Sequence, residues 1–302
     1  MNQRYLANLR GLAIAAFPIM LPSPALFAQS LPATAPERRT LAFHGLEREY
    51  FVHMPPSFNR DGAYWLLVVM GAVNGRNSFL ATDISRAVAQ TGFEAIVVSP
   101  SSPDEDINAI RFPTLGEGKF LEEIVKAMRA DYRLKAKILL TGYSRGGQFA
   151  HRFALAQPDM VEAVAPLASG TWTTPDGRFL VEEIGEVRTP QTFLAKIENA
   201  ATVPERLRNL FEPRVAAVAA SKAASGAQLI PFLVMCGTLD PRLPIAKEFV
   251  LRLEALGYQV EAEWPKTPHM CRANACPAEY NAEFRKYGRT AVDFFRRVSR
   301  GK

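Results

Sequence analysis

Residues 138–147 read ILLTGYSRGG, an apolar run followed by a serine that has a glycine two positions away on each side. The five residues from Gly142 to Gly146 fit the pattern G-x-S-x-G, in which a sharp turn between a strand and a helix presents a serine as a nucleophile. The alternative interpretation is an ordinary glycine-rich turn that happens to contain Ser144. The two interpretations differ in what they require elsewhere, because a nucleophile needs partner side chains and a turn does not.

Apolar runs of strand length alternate with longer segments of helical periodicity along most of the chain, which predicts a mostly parallel central sheet flanked by helices. The region from about Gly170 to Ala227 interrupts this alternation and reads as helical and polar. The sequence therefore predicts one α/β domain over residues 29–302, with a helical cap insertion at about 170–227. The predicted strands are Arg39–Phe43, Arg48–Met54, Trp65–Met70, Ala95–Ser99, Ile138–Thr141, Val161–Ala168, Leu229–Met235 and Gln259–Trp264. The predicted helices are Asp83–Thr91, Phe120–Tyr132, Gly146–Ala156, Ile245–Leu256 and Glu279–Arg297.

The first 28 residues have the pattern of a secretory signal peptide. Arg4 and Arg10 precede the apolar run GLAIAAFPIML, and small residues lead to a cleavage site after Ala28. The alternative is a membrane-anchoring or amphipathic helix, but the apolar run is short and is interrupted by Pro18 and Pro22. We therefore expect a secreted or periplasmic protein without a stable membrane anchor.

The charge of the chain argues against nucleic acid as a partner. The formal net charge is +6, and removal of residues 1–28, which hold two arginines and no acid, leaves +4. The basic residues are scattered, and no basic stripe is interleaved with aromatic residues. Nucleic-acid-binding surfaces need such a stripe or patch, so we expect no nucleic-acid partner.

The chain contains three cysteines. In an exported protein, Cys271 and Cys276 of the segment CRANAC are close enough in sequence to form a local disulfide. Cys236 lies in the apolar segment LIPFLVMCG and is predicted to be a buried free thiol. This cysteine spacing is too sparse for a zinc site, and we predict no bound metal.

A serine hydroxyl becomes a nucleophile only when a base accepts its proton. In a parallel sheet the base must come from a loop at the carboxyl ends of the strands, and for this turn it follows the serine in the sequence. Of the four histidines, His44 and His53 precede Ser144. His151 lies two turns along the following helix, about 10 Å up its axis, and cannot reach the hydroxyl. His269, in the loop TPHMC after the last strand, is the predicted base.

The base in turn needs an acid that fixes its tautomer, and the acid should follow the strand before the last one. The segment MCGTLDPRLP supplies Asp240 at that place. The alternative is that Asp240 caps the next helix. That helix is predicted to begin near Pro244, beyond the reach of a cap at Asp240, which favours the role of an acid partner.

Two backbone N–H groups are needed where negative charge develops on the substrate. The N–H of Arg145 follows the serine directly, and the N–H of Ala72 follows the strand WLLVVM, so these are the predicted donors. For Gly71, a plain turn between strand and helix is an equally good interpretation. The serine, histidine and acid need no cofactor, and none is predicted.

With these residues, the chain resembles the α/β-hydrolases, and among them the group of secreted polyhydroxybutyrate depolymerases and feruloyl esterases. The resemblance extends over roughly residues 41–297 and is carried by LEREYFVHMPPSF, GYSRGG, AQPDMVEAVAPLASG, GTLDPRLP and the loop around His269. It implies an α/β-hydrolase fold and hydrolysis of a small-molecule or polymer-borne ester through an acyl-enzyme on Ser144. Met70-Gly71 departs from the His-Gly usual in this group, and Arg145 stands where Gln or Met is commoner.

The leading hypothesis is an exported serine esterase that uses Ser144, His269 and Asp240. One alternative is an acyltransferase on the same three residues, in which an alcohol other than water accepts the acyl group. Another is a non-catalytic binding module that has kept the fold. Two roles are open for the Arg145 side chain. It could form a structural salt bridge with an acidic residue, or it could bind an anionic group of the substrate.

Overall fold

The computed structural model describes residues 35–71, 79–101, 117–176, 179–181, 187–188, 229–269, 276–300 and 302. The chain divides into two compact units, Met1–Ser30 and Leu31–Lys302, and all described residues lie in the second. The predicted signal peptide lies outside the described residues. Among the described residues, no helix is both long enough and apolar enough to span a bilayer.

An eight-stranded sheet forms the centre of the described structure. Its strands are β1 (Glu37–Phe43), β2 (Leu46–His53), β3 (Tyr64–Met70), β4 (Ala95–Pro100), β5 (Leu134–Tyr143), β6 (Val161–Leu167), β10 (Phe232–Met235) and β11 (Val260–Glu263). A smaller sheet contains β7 (Thr171–Thr173), β8 (Phe179–Val181) and β9 (Val187–Arg188). The order is β1-β2-β4-β3-β5-β6-β10-β11. Within this sheet, only the β1–β2 and β2–β4 pairs are antiparallel, and the predicted, mostly parallel sheet is thus confirmed.

Helices cover both faces of this sheet, which is why its central strands are apolar on both sides. They are α1 (Phe79–Thr91), α2 (Glu117–Asp131), α3 (Arg145–Ala156), α4 (Leu243–Ala255) and α5 (Ala278–Val298). Residues of α1 and α5 pack on one face, and residues of α2, α3 and α4 pack on the other. Strands β3 and β4 are buried at every position. A continuous apolar run is the expected signature of such strands.

The start of the predicted helical cap is not helical. Residues 171–188 contain β7 (Thr171–Thr173), β8 (Phe179–Val181) and β9 (Val187–Arg188), which form a three-stranded antiparallel sheet. The prediction is wrong here because strands of two or three residues are too short to produce a visible alternation. Burial of Trp172, whose ring stacks on Phe249 at 4.5 Å, anchors β7. Residues 189–228 of the predicted cap lie outside the described residues.

Candidate active site

Ser144 lies in the turn between β5 and α3, at the carboxyl end of the sheet. Its backbone has φ 56° and ψ −110°, a conformation that is costly for any residue with a Cβ. The Ser144 N–H donates to the carbonyl of Leu167 at 2.9 Å, and the Ser144 carbonyl accepts from the N–H of Gln148 at 3.0 Å. Such strained residues persist where their surroundings hold them in place and are concentrated at functional sites.

The glycines of the G-x-S-x-G turn are required by close packing. A Cβ at Gly142 would collide with the backbone of Gly146. A Cβ at Gly146 would collide with the carbonyl of Met70 and lie 2.7 Å from the carbonyl oxygen of Gly71. The turn therefore packs directly against the end of β3, the strand that leads to the predicted second donor at Ala72.

We expect Gly146→Ala to lower both stability and activity. Its methyl group must displace the end of β3 or the turn itself, and overpacking of this kind costs about 1–3 kcal/mol. Thermal unfolding and kcat/KM for an aryl ester measure the two effects. Gly45→Ala is the matched control, because Gly45 has φ +78° and open space around it. It should cost about 1 kcal/mol of stability and leave activity intact. Equal activity of the two variants would contradict the packing argument.

Two hydrogen-bonded loops carry the predicted base and acid. The loop after β10 holds Asp240, and the loop after β11 holds His269. The Leu239 N–H donates to the carbonyl of Thr267 at 3.2 Å. Gly237 allows this contact, because a Cβ there would collide with the Thr267 carbonyl. The close approach of these backbones places the two side chains next to each other.

A continuous hydrogen-bond series joins the three predicted side chains. His269 Nδ1 lies 2.7 Å from Asp240 Oδ2, and His269 Nε2 lies 3.1 Å from Ser144 Oγ. An ionised carboxylate can only accept, so Nδ1 carries the proton and Nε2 offers its lone pair to the serine hydroxyl. The structure thus brings Ser144, His269 and Asp240 together in the order that activation of a serine requires.

Asp240 is held as a buried carboxylate. Its side chain is fully buried. Burial by itself raises the pKa of Asp240, but the hydrogen bonds from His269 and from the Arg242 N–H, together with the nearby positive charges, outweigh it and lower that pKa. The Arg242 N–H donates to Asp240 Oδ1 at 3.0 Å, and Arg242 Nη1 lies 3.6 Å from the same oxygen. Asp240 therefore orders the start of α4 while its second oxygen binds His269.

Apolar packing and buried hydroxyls surround the acid. Tyr143, Tyr287 and Cys236 are buried, and their pKa values are all raised by burial and by the negative charge of Asp240. The Tyr143 ring lies 5.6 Å from the His269 ring. Cys236 is a buried free thiol, as predicted. These neutral groups keep water away from the Asp240–His269 pair and strengthen its electrostatic interaction.

The other histidines lie elsewhere. His151 is fully buried, its Nδ1 is 2.8 Å from the carbonyl of Gly147, and its Nε2 accepts from the N–H of Thr173 at 3.0 Å. Burial and the charge of Arg152 lower the pKa of His151 well below its usual value. His151 is thus a neutral link between α3 and β7. His53 is buried in β2, and His44 is exposed in the β1–β2 turn.

Of the two predicted backbone donors, only Arg145 is described. It is the first residue of α3, where backbone N–H groups have no partner within the helix and point beyond its end. Ala72 and Cys271 lie outside the described residues, so the second donor and the Cys271–Cys276 disulfide stay predictions. Within the described ranges, no group of His, Cys, Asp and Glu side chains has the arrangement of a metal site.

The fold is similar to that of several solved hydrolases. The S-formylglutathione hydrolase FrmB of Staphylococcus aureus is 18% identical, with 85% of this chain and 95% of that chain covered and a TM-score of 0.58. A ferulic acid esterase is 18% identical, with 87% and 98% covered and a TM-score of 0.61. The protein has the α/β-hydrolase fold. The acylaminoacyl peptidase of Pyrococcus horikoshii has the same fold, at 19% identity and a TM-score of 0.59, with 89% of this chain and 42% of that chain covered. No protein-family model matches the sequence, and no curated protein matches it.

In this α/β-hydrolase fold, two site features escaped the sequence analysis. One is the Arg242 N–H as the second hydrogen-bond partner of Asp240. The other is Gly237, which lets the two loops approach each other. A glycine two residues after the end of a buried strand and three residues before the acid is the signal that could have pointed to it.

Proposed function

We propose that the protein is an exported serine hydrolase that cleaves a carboxylic ester through an acyl-enzyme on Ser144. The observation that carries the proposal is the Asp240–His269–Ser144 hydrogen-bond series, built on a strained turn at the carboxyl end of the sheet. A glycine-rich structural turn needs neither the strained serine conformation nor a histidine within hydrogen-bonding distance.

Each residue of the candidate site has a separate role in ester cleavage. Ser144 Oγ attacks the ester carbonyl carbon while His269 Nε2 takes the hydroxyl proton, and Asp240 stabilises the imidazolium that results. The Arg145 N–H, with the predicted Ala72 N–H, stabilises the oxyanion, each donor contributing about 2.7–4 kcal/mol in known cases. His269 then protonates the leaving alcohol, which leaves the acyl group on Ser144. Water attacks this acyl group with His269 as base, and release of the acid restores Ser144.

An ester as substrate is compatible with the chemistry of Ser144 and His269, and the names of solved structures with this fold support it. Two of them are named S-formylglutathione hydrolase and ferulic acid esterase, and a third is named acylaminoacyl peptidase. Of these names, ferulic acid esterase is the one that states cleavage of an ester. We propose a small-molecule or polymer-borne ester as the substrate.

Hydrolysis of p-nitrophenyl esters from acetate to laurate, together with fluorophosphonate labelling, tests this proposal. We expect turnover of at least one ester and a stoichiometric adduct that peptide mass spectrometry locates on Ser144. An adduct without hydrolysis, but with ester formation when alcohols are added, would favour an acyltransferase. Absence of both turnover and adduct would contradict the proposal and favour a binding module.

We also propose that the protein is exported, and because disulfides form in oxidising compartments, export predicts the number of free thiols. If Cys271 and Cys276 form a disulfide, the denatured, unreduced protein should show one thiol to a chromogenic disulfide reagent, that of Cys236, and three after reduction. The native protein should react slowly, because Cys236 is buried and its pKa is raised by burial and by Asp240. Three thiols before reduction, in protein purified from an oxidising compartment, would contradict the disulfide.

A further inference from the structure

Arg145 follows Ser144 directly, and its side chain is half-buried. Among the described residues, no carboxylate lies within 4.0 Å of its guanidinium, and no protein group there accepts a hydrogen bond from it. Of the two interpretations that the sequence left open, the structure therefore does not support a structural salt bridge. The described structure thus offers no partner to this permanently charged group, which directly follows the nucleophile in the chain.

Arg145 differs in this respect from the comparable arginines. In the described part of the chain, the other buried or half-buried arginines bind a carboxylate or a set of side-chain oxygens. These arginines are Arg39 with Asp131, Arg48 with Glu117, Arg152 with Thr171 and Thr173, Arg242 with Asp240, Arg252 with Glu248, and Arg296 with Asp293. The fold thus pairs its half-buried guanidinium groups, and Arg145 is the exception.

An unpaired guanidinium that is partly removed from water is costly to keep. Burial lowers the pKa of Arg145, and among the described residues no carboxylate opposes this shift. A substrate anion bound there would form charge-assisted hydrogen bonds with the guanidinium, and these would offset the hydration free energy that burial removes. The planar guanidinium suits a carboxylate in particular, because it can donate two parallel hydrogen bonds to the two oxygens.

We propose that the Arg145 side chain binds a carboxylate of the substrate, so that the preferred esters carry a negative charge. This inference rests on the proposed function, because it places the carboxylate on an ester whose carbonyl is attacked by Ser144. Successive Cα atoms are about 3.8 Å apart, and an arginine side chain is long, so the carboxylate lies several bonds from the reacting carbonyl. In this assignment, the backbone N–H of Arg145 donates to the reacting oxygen and its side chain donates to the substrate carboxylate.

Two matched pairs of esters test the inference. The acyl arm compares mono-p-nitrophenyl adipate with its neutral amide analogue, p-nitrophenyl adipamate. The alcohol arm compares 3-carboxyphenyl butyrate with 3-carbamoylphenyl butyrate. In each arm the measured quantity is the ratio of kcat/KM for the anionic ester to that for the neutral ester, after subtraction of non-enzymatic hydrolysis. Differences in general activity between variants cancel in this ratio.

We expect Arg145→Gln to lower this ratio by about 10- to 100-fold in at least one arm, the size of one charge-assisted contact. The arm affected identifies the side of the ester that carries the carboxylate. Arg145→Lys should keep part of the preference, and added salt should raise KM for the anionic ester alone. Arg60→Gln, which removes an exposed charge elsewhere, is the control and should leave the ratio unchanged.

The outcomes separate this inference from the proposed function. If neutral esters are hydrolysed and the ratio is the same in wild type and Arg145→Gln in both arms, the inference is wrong and the serine hydrolase stands. If wild type hydrolyses no ester and takes no fluorophosphonate label, both are wrong.

Discussion

Ser144→Ala is expected to lower kcat for ester hydrolysis by about 10⁶-fold, the loss seen when a serine nucleophile of this kind is removed. The alanine has no oxygen to form the acyl-enzyme, so only substrate binding and the backbone donors remain. Ser144→Ala combined with His269→Ala should be no worse than Ser144→Ala alone, because the two side chains act as one unit. Steady-state kinetics on a p-nitrophenyl ester, with active-site titration of the wild type, measure these losses.

The unusual backbone of Ser144 supplies an independent control for folding. Alanine keeps the Cβ and its strain at φ 56°, whereas Ser144→Gly removes both. Glycine normally destabilises a position by about 0.5–1 kcal/mol relative to alanine. Here the glycine variant should unfold at the same temperature as the alanine variant or higher, while both are inactive. Ser144→Ala with activity within tenfold of wild type would exclude Ser144 as the nucleophile.

The central sheet could be predicted from the sequence because parallel strands buried on both faces leave continuous apolar runs. The run WLLVVM became β3 and AIVVS became β4 with ends shifted by one residue. The elbow strand β5 is longer than predicted and begins at Leu134, because its first four residues, LKAK, are not buried and include two lysines. Asp240 and His269 could be predicted because the strand order of a parallel sheet places the loops after its last two strands beside the elbow.

Other features could not be predicted because they depend on close contacts between distant segments. That Gly237 must be glycine becomes clear only when the Thr267 carbonyl is seen against it. The strand character of Thr171–Thr173 depends on pairing with residues 179–181 and on the burial of Trp172. The surroundings of Arg145 are of the same kind, since a sequence does not show whether an acid lies near a given arginine.

Asp240→Asn is expected to lower kcat by about 10⁴-fold with little change in fold. Asp240 uses both carboxylate oxygens as acceptors, one for His269 Nδ1 and one for the Arg242 N–H. An asparagine has only one such oxygen, and its amide nitrogen can only donate. If the oxygen stays with the Arg242 N–H, the NH₂ group faces Nδ1 and favours the tautomer with the proton on Nε2. That tautomer cannot accept the Ser144 proton, so the serine is present but not activated.

The pH dependence of stability distinguishes the loss of the Asp240 carboxylate from a general destabilisation of the fold. Because the folded-state pKa of Asp240 is lowered, its carboxylate stabilises the fold above the unfolded-state pKa of about 3.9, and this contribution is lost as pH falls through the folded-state pKa. The difference in unfolding free energy between wild type and Asp240→Asn should therefore be largest near neutral pH and shrink below about pH 4. Asp293→Asn, which removes a half-buried carboxylate paired with Arg289 and Arg296 away from the site, is the matched control and should keep full activity. If Asp240→Asn kept wild-type kcat, the hydrogen bond to His269 would be structural, and the orientation of the imidazole would have to come from its loop alone.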